Sequence, residues 1–357
     1  MYLGILPTSP WQHRQLWSGE GASAEFAQRI MDPAFHLELA QLCDRAGLDF
    51  LYLPDRSATF GSPFDPSAVE SMFEPVTAMA YLAAGTRRIG LVPTVSTTWS
   101  EPYTVARELL SLDHLSAGRV GWNAKASYAD PELPNFAHRG DFSPLEARER
   151  YMEFVPLVQK LWRSWDRDAV LADPAAGLWA RPDSVHPVCH RGPHFEVEGP
   201  LNIAPSPQYH PLTVMAGRSD GFLRLAARDA DVVFTSVASV EEATEVNSTL
   251  RGHLADHHRS AGAVRLMPGL TVGTSPHTGN SFHLSGRPAD IAGQMAEIVE
   301  ESGVDGFIVL PTLVPDDIRF FTTEVVPELR AAGVVPEVPL DADGGVRPGT
   351  LRANLGL

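Results

Sequence analysis

Residues 111–127 read SLDHLSAGRVGWNAKAS, and this stretch carries the unit from which the fold is built. Its first part continues a helical pattern, residues 116–118 predict a tight turn, and residues 119–122 predict a short apolar strand. Asn123 stands where this strand is predicted to end. Since α/β proteins bind ligands at the carboxyl ends of parallel strands, the stretch indicates one wall of a ligand site.

The same order recurs along the chain: a strand, polar residues after the end of that strand, and a helix. Strands are predicted at residues 3–6, 49–53, 88–92, 119–122, 212–216, 231–235, 266–272 and 306–310. Helices are predicted at residues 34–46, 74–84, 101–115, 148–165, 221–228, 241–259, 289–302 and 316–332. About eight alternations with short loops favour a closed (β/α)8 barrel over an open doubly wound sheet, and a single domain over residues 1–357.

Two regions depart from this alternation. Residues 166–210 follow the fourth barrel helix and are crowded with proline, which excludes a regular helix. This predicts a long, loop-rich insertion packed over the barrel, either covering a site or forming a surface loop. Residues 337–357 are rich in Gly, Pro and Asp, and this tail is expected to run along the outside of the barrel or to a partner subunit.

Composition narrows the classes of function. The 44 acidic residues against 28 basic ones give a formal net charge of −16, which disfavours a nucleic-acid or anionic-membrane partner. Cys43 and Cys189 belong to no CxxC pair, which disfavours a disulfide framework or a thiolate metal site. The opening residues MYLGILPTSPW show no basic start followed by a long apolar run, and no window approaches a membrane span, so a cytoplasmic protein is expected.

Polar residues follow most of the predicted strands. They are Asp55, residues 94–98, Asn123 with Ser127, residues 217–219, and residues 235–236. None is a nucleophile paired with an obvious base, and no two carboxylates form an acid/base couple. Hydrogen-bonding side chains of this kind suit the holding of a polar cofactor.

The sharpest local signal is VMAGRSD at residues 214–220, where a strand ends in Gly217, Arg218 and Ser219 at the first turn of a helix. Free backbone N–H groups, the Ser219 hydroxyl and the Arg218 charge would together make a phosphate seat. The alternative is an ordinary helix N-cap beside a surface arginine.

Histidines give weaker signals. His186, His190 and His194 have the four-residue spacing of metal ligands on a helix, but the prolines among them exclude that helix, so no metal site is predicted. His13 lies just after the first strand, four residues before Trp17, in a loop at the ligand-binding end of the proposed barrel. It is either a catalytic residue or an ordinary core or surface histidine.

Four segments carry a family resemblance. They are residues 73–127, ending in GWNAKAS; residues 149–170, beginning ERY; residues 190–235, containing AGRSDG; and the ending VVPELRAAGVV with TLRANLGL. The chain resembles the bacterial luciferase-like flavin monooxygenases, in the branch of nitrilotriacetate monooxygenase component A, dibenzothiophene-sulfone monooxygenase, long-chain alkane monooxygenase and pristinamycin IIA synthase. The segments cover most of the chain.

The resemblance implies a luciferase-like (β/α)8 barrel that binds reduced FMN supplied by a separate NAD(P)H:flavin reductase. Such a protein reacts FMNH2 with O2 and oxygenates a small or medium organic substrate through a C4a-hydroperoxyflavin. It also implies a homo-oligomer, a dimer or a dimer of dimers. Two alternatives stay open: a coenzyme F420-dependent oxidoreductase on the same barrel, and a flavin-binding relative without catalysis.

The resemblance also implies roles for individual residues. Asp55 and the Thr97 region would contact the isoalloxazine ring, and Asn123 and Ser127 would lie along the flavin. Cofactor phosphate contacts would come from Tyr151, Gly217, Arg218 and Ser219. His13 and Asn123 are the catalytic candidates, and Trp17, Trp99 and Lys125 are the candidates for substrate contact.

This chain departs from the family pattern at four places. Ala147 stands where family members typically have a histidine, and Arg218 stands where their phosphate turn usually has a serine. Lys125 replaces part of a common Val-Thr-Ser run. Between Val272 and Ser285 the chain is expected to lack a long insertion that forms part of the substrate lid, which implies a wider or differently closed pocket.

Overall fold

The computed structural model describes residues 1–7, 24–59, 71–127, 132–139, 143–273 and 279–357. Strands in these ranges are β1 Tyr2–Ile5, β2 Phe50–Leu53, β3 Gly90–Ser96, β4 Gly121–Lys125, β5 Val170–Asp173, β6 Leu178–Ala180, β7 His190–Arg191, β8 Glu196–Val197, β9 Leu212–Ala216, β10 Val232–Thr235, β11 Arg265–Val272, β12 Phe282–Leu284 and β13 Gly306–Val309. Helices are α1 Ala24–Arg29, α2 Pro33–Arg45, α3 Pro75–Gly85, α4 Pro102–Leu115, α5 Pro144–Trp162, α6 Asp220–Asp229, α7 Val240–Asp256, α8 Pro288–Ser302, α9 Asp316–Phe320, α10 Val326–Ala331 and α11 Leu351–Asn354. A π-helical turn, Phe321–Val325, joins α9 to α10, and 3-10 turns lie at Leu133–Arg139 and Ala261–Ala263.

Eight parallel strands close into a barrel. Their order around the ring is β1, β2, β3, β4, β9, β10, β11 and β13, and β13 pairs again with β1. Tyr2 lies opposite Gly306 at this closing pair. The predicted (β/α)8 barrel is therefore confirmed, with β12 added in parallel beside β11. No helix of the described ranges has the length and apolar character needed to cross a bilayer.

Two strands run further than the sequence pattern indicates. The prediction ended the third strand before Pro93, but β3 continues to Ser96 and β4 continues to Lys125. The added ladder pairs Thr94 with Asn123 and Ser96 with Lys125. Asn123 is thus inside a strand rather than after it, because the neighbouring strand supplies partners that a single-strand pattern does not show.

Apolar side chains fill the barrel interior. The cluster includes Phe50, Val92, Leu212, Val214, Val232, Met267 and Ile308, together with Leu351 and Leu355. Above this layer, towards the carboxyl ends of the strands, the interior becomes polar at Tyr52, Thr94 and Asn123. The barrel therefore has an apolar lower half and a polar upper half.

The chain's final helix closes the amino-terminal end of the barrel. Leu351 is 1% exposed, its N–H donates to Gly118 O at 2.9 Å, and a Cβ on Gly90 would lie 2.5 Å from its Cδ1. The expectation that the tail runs outside the barrel is wrong for residues 351–357. The prediction was based on composition. One helical turn with Leu351 and Leu355 four residues apart is too short to be recognised in a segment rich in Gly, Pro and Asp.

The loop-rich insertion between α5 and β9 is confirmed, and it forms two hairpins, β5 with β6 and β7 with β8. Its last residues reach the amino end of β4, where Gln208 Nε2 donates to Val120 O at 2.8 Å and Ser206 Oγ donates to Asp113 Oδ2 at 2.5 Å. This end is opposite to the polar half of the interior. No residue of 166–210 lines the cavity described below, so the structure favours a surface loop over a cover for that cavity.

Arg119 joins the opening stretch to its neighbours from inside the protein. The side chain is 3% exposed and donates five hydrogen bonds, to Ala83 O, Thr86 Oγ1, Thr86 O, Ile89 O and Ser116 O, at 2.7 to 3.2 Å. These acceptors lie at the end of α3, before β3 and after α4. A single guanidinium therefore satisfies the carbonyls of three chain segments.

Asp49 gives the fold a pH dependence. Its carboxylate accepts the Leu3 N–H at 2.7 Å, and burial raises its pKa to about 7. The folded state therefore holds a proton that the unfolded state releases near its ordinary value of 3.8, so the contribution of Asp49 to stability falls as pH rises through about 7. We expect the free energy of unfolding of wild type, relative to that of Asp49→Asn, to fall between about pH 3.8 and pH 7 and to level off above that. The slope in this interval is up to about 1.4 kcal/mol per pH unit. Urea unfolding of both proteins at pH 5 and pH 8 measures it, and a difference that does not change with pH would contradict it.

Candidate active site

A cavity of about 1200 Å³ opens at the carboxyl ends of the barrel strands. It is lined from β2, β3, β4 and β9, from the loops after β2 and β4, and from the first turns of α5 and α6. Of the predicted site residues, the cavity brings together Asp55, Asn123, Lys125, Ser127, Tyr151, Gly217, Arg218 and Ser219. A site at this end of the barrel is where the (β/α)8 architecture places ligands.

The cavity floor presents a free acceptor. Asn123 Nδ2 donates to Thr94 Oγ1 at 2.9 Å, but the buried Asn123 Oδ1 has no hydrogen-bond partner. The neighbouring Tyr52 is also buried, and this raises its pKa to about 12. A buried amide oxygen without a partner is costly in a folded protein, so this atom is suited to a ligand N–H or O–H.

A second unpartnered group lies at the exit of β4. The Ser127 N–H donates to Thr98 Oγ1 at 3.0 Å, while the Ser127 hydroxyl is buried without a partner. Thr97 is placed differently, because its Oγ1 donates to Lys125 O at 3.2 Å and it does not line the cavity. A ring contact from Thr97 itself stays a prediction; Thr94, from the same stretch, does line the cavity.

Lys125 is held by an acidic residue that the sequence pattern did not single out. Its Nζ donates to Asp55 O at 3.0 Å and lies 3.2 Å from Glu132 Oε1. Glu132 is 1% exposed; its Oε1 also accepts the Ser57 N–H, and its Oε2 has no partner. Burial raises the pKa of Asp55, and Lys125 opposes that shift. The cation thus compensates a buried carboxylate at the cavity wall.

Replacing Lys125 by methionine is expected to destabilise the protein by about 1–3 kcal/mol, because Glu132 would keep a buried charge with a single backbone donor. About a third of the Lys125 side chain is exposed, so the expected loss of stability is smaller than for a fully buried ion pair. The double variant Lys125→Met with Glu132→Gln should regain most of the loss. Urea unfolding of both variants measures this, and equal loss in the two would show that the pair is not the cause.

At the predicted phosphate seat, the structure shows the helix cap and the partly exposed arginine of the alternative interpretation. Ser219 caps α6, and its Oγ accepts the Phe222 N–H at 3.3 Å. Arg218 is about half exposed, donating weakly to Ser236 O at 3.4 Å and lying 3.7 Å from Glu242. Ser219 and Arg218 nevertheless line the cavity, so the helix cap and a ligand contact are compatible.

Tyr151 faces the same part of the cavity from α5. It is 7% exposed, its hydroxyl has no hydrogen-bond partner, and burial raises its pKa. Arg148 lies one turn earlier on that helix and also lines the cavity. Arg148 is not among the residues predicted from the sequence, although its three-residue spacing from Tyr151 places both on one helix face.

The remaining candidates are His13, Trp17 and Trp99. His13 and Trp17 fall outside the described residues. The Trp99 ring stacks on Phe136, with centroids 4.5 Å apart and planes 1° apart, and it does not line the cavity. Arg150 holds the loop that carries Trp99, with Nε donating to Thr97 O at 3.3 Å and Nη2 to Ser100 O at 3.1 Å.

The histidines of the insertion have acidic or backbone neighbours. His186 Nε2 lies 3.1 Å from Asp166 Oδ1, and His190 Nε2 lies 2.7 Å from Glu153 Oε1. His190 belongs to a short strand, not to a helix. Within the described ranges, no group of three or more His, Cys, Asp or Glu side chains could hold a metal ion.

A closed parallel barrel with polar, partnerless groups at the carboxyl ends of its strands defines a (β/α)8 protein whose cavity is suited to a polar ligand. Residues 10–277 match the family described as luciferase-like monooxygenase, and the chain belongs to that family.

Two curated relatives lie in the branch identified from the motifs. Nitrilotriacetate monooxygenase component A of Aminobacter aminovorans is 30% identical over 446 aligned positions, covering 100% of this chain and 96% of that protein. Dibenzothiophene-sulfone monooxygenase of Rhodococcus erythropolis is 36% identical over 233 positions, covering 63% of this chain and 51% of that protein. The first alignment is longer than this chain of 357 residues, so the chain lacks segments that the relative carries.

Solved structures show the same fold. Riboflavin lyase with modified FMN and riboflavin superposes with a TM-score of 0.85 at 24% identity, over 100% of this chain and 96% of that one. An F420-dependent secondary alcohol dehydrogenase is more distant, with a TM-score of 0.68 at 15% identity over 92% of this chain and 99% of that one.

Proposed function

We propose that this chain is the oxygenating component of a two-component monooxygenase that uses FMNH2 and O2 on a small or medium organic substrate. The observation that carries the proposal is the cavity at the strand ends, where Asn123 Oδ1, Ser127 Oγ and Tyr151 OH are buried without partners. Three such atoms in one cavity indicate a polar ligand that completes their hydrogen bonds. The full-length likeness to nitrilotriacetate monooxygenase component A supports a flavin as that ligand.

The residues present fit FMN. Ser219 and the free N–H groups of α6 offer a phosphate seat, with Arg218 for charge and Tyr151 for a hydrogen bond. Asn123 and Ser127 would hold the polar edge of the ring system. The volume of about 1200 Å³ leaves room for an organic substrate beside the cofactor.

Reduced FMN, when bound, would supply the electrons that reduce one oxygen atom of O2 to water while the other oxygen atom enters the substrate. The protein's own part is binding, orientation and exclusion of water. Asn123 Oδ1 would accept a hydrogen bond from an N–H or O–H group of the ligand. The position of this oxygen is fixed, because the amide nitrogen of Asn123 donates to Thr94. Asp55, whose pKa is raised by burial, is suited to hold a proton at the cavity wall. His13 remains the second catalytic candidate.

The proposal extends to partners. The name "component A" of the bacterial relative supports a separate NAD(P)H:flavin reductase that delivers FMNH2 by diffusion. A cytoplasmic location and a homo-oligomer, either a dimer or a dimer of dimers, complete it. The F420 alternative is weaker, because its structural neighbour shares the fold at only 15% identity.

The test is an anaerobic titration with photoreduced FMN, followed by exposure to air. We expect FMNH2 to bind and air to produce a long-lived absorbance that differs from that of oxidised FMN. F420 serves as the parallel ligand, and tighter binding of F420 than of FMNH2 would favour the alternative. Absence of FMNH2 binding would refute the proposal. Normal flavin binding without product from any compound of a broad panel would favour a relative that has lost catalysis.

A further inference from the structure

The start of α6 carries more positive charge than a capped helix requires. Arg218 precedes the cap residue, and Arg148 approaches from α5, so that a Cβ on Gly221 would lie 3.2 Å from Arg148 Nη2. Both arginines line the cavity that Ser219 and Tyr151 also line. Two guanidinium groups therefore flank the amino terminus of one helix.

Arg148 has no structural task among the described residues. It makes no hydrogen bond or ion pair there, and it is exposed at the cavity. On its own helix, the positions three and four residues away hold Pro144, Leu145, Tyr151 and Met152, none of which is acidic. An ordinary surface ion pair along α5 is thus excluded as its explanation.

Two acidic groups lie near this helix start, and neither is a strong partner of the two arginines. Asp220 Oδ1 lies 2.9 Å from His253 Nε2, and Glu242 lies 3.7 Å from Arg218 with both side chains largely exposed. An exposed pair of this length contributes little energy, so Arg218 can turn to an anion at small cost. Of the two arginines at the cavity, Arg218 therefore has one weak acidic partner, and Arg148 has none among the described residues.

The buried Tyr151 hydroxyl is the independent sign of a ligand here. It has no partner, and it shares a helix face with Arg148, three residues earlier. A phosphate monoester carries about −1.5 to −2 charge at pH 7 and three strong acceptor oxygens. Such a group would satisfy the hydroxyl, the N–H groups of α6 and both guanidinium groups together.

We propose that Arg148 is a phosphate-binding residue which, with Arg218, forms a two-arginine clamp that selects FMN over the unphosphorylated riboflavin. The inference rests on the proposed function for the identity of the ligand. Arg148 would thus determine specificity for the phosphate, in addition to the Ser219 cap and the turn at Gly217. Arg148 acts on binding of the cofactor and has no role in oxygen transfer.

The experiment measures the dissociation constants of FMNH2 and of reduced riboflavin for the full chain, anaerobically. Wild type should prefer the phosphorylated flavin. Arg148→Ala should weaken FMNH2 binding about tenfold or more while changing riboflavin binding less than about twofold, since a charge-assisted hydrogen bond is lost only in the first case. Arg148→Lys should restore part of the preference. Arg224→Ala is the matched control, because Arg224 lies on α6, is exposed and does not line the cavity.

The outcomes are separable. Equal loss of both flavins in Arg148→Ala, or no loss of either, would overturn the clamp. Equal affinity of wild type for both flavins would also overturn it, while leaving the flavin proposal standing. Binding of neither flavin by wild type would refute both. A steeper salt dependence of FMNH2 affinity in wild type than in Arg148→Ala is expected as well, because the lost contact is ionic.

Discussion

Arg119→Met is expected to lower the free energy of unfolding by about 4 kcal/mol or more, enough to leave much of the protein unfolded. The five acceptors of Arg119 are carbonyls and one hydroxyl at the ends of α3 and α4 and before β3. A buried acceptor left without its donor costs about 1–3 kcal/mol, and relaxation recovers only part of the sum. Methionine fills a similar volume, so the loss reports the donors and not a cavity.

Urea unfolding compared with two controls measures this loss. Arg119→Lys keeps the charge with three donors instead of five and should fall between wild type and Arg119→Met. Arg107→Met, on the exposed face of α4, should change stability by less than about 0.5 kcal/mol. If Arg119→Met stays within about 1 kcal/mol of wild type, the network around Arg119 does not hold the three segments together.

Leu351→Ala is the second large effect, with an expected loss of about 2–5 kcal/mol. Leu351 is 1% exposed beneath the barrel, where its methyl groups approach Gly90 and Gly121. Removing them opens a cavity between strands that are fixed by their hydrogen-bond ladders and cannot collapse. The affinity of the folded variant for FMNH2 should be unchanged, since the site lies at the other end of the strands.

The control for Leu351→Ala lies in the same tail. Leu340 is 53% exposed, so Leu340→Ala should cost less than about 0.5 kcal/mol. Thermal or urea unfolding of the two variants makes the comparison. Equal small losses would mean that α11 covers the barrel without being packed into it.

The strands could be predicted because buried parallel strands are short apolar runs separated by helical periodicity. Their ends could not, since the end of a strand depends on its neighbour: Thr94 and Asn123 extend the barrel only because they pair with each other. The prediction for the C-terminal tail was wrong for a related reason. Leu351 becomes a core residue through Gly90 and Gly121, which are far away in sequence and leave room for it.

In the candidate site, too, residues were predictable where local sequence decides their position and not where a contact with another segment does. Positions directly after strands, such as Asp55 and Ser127, and the Gly217–Ser219 turn were predictable from local sequence, and all line the cavity. Glu132 was not predictable, because its role depends on a contact with the side chain of Lys125 that no local pattern indicates. The spacing from Tyr151 places Arg148 on the cavity face of α5, but its position beside the start of α6 depends on a segment far away in sequence. Thr97 shows the converse, a polar residue at a strand end whose hydroxyl is used by the neighbouring strand.

Closure of the barrel also imposes an order on biosynthesis. Tyr2 pairs with Gly306, and the amino-terminal opening is filled by Leu351, so β1 must wait for residues that are synthesised much later than β1 itself. Until β13 has been made, β1 and β11 each lack a neighbour, and the ring of strands stays open between them. A nascent chain stalled before residue 306 is therefore expected to expose an unpaired strand edge and to depend on chaperones, whereas release of residues 351–357 completes the interior.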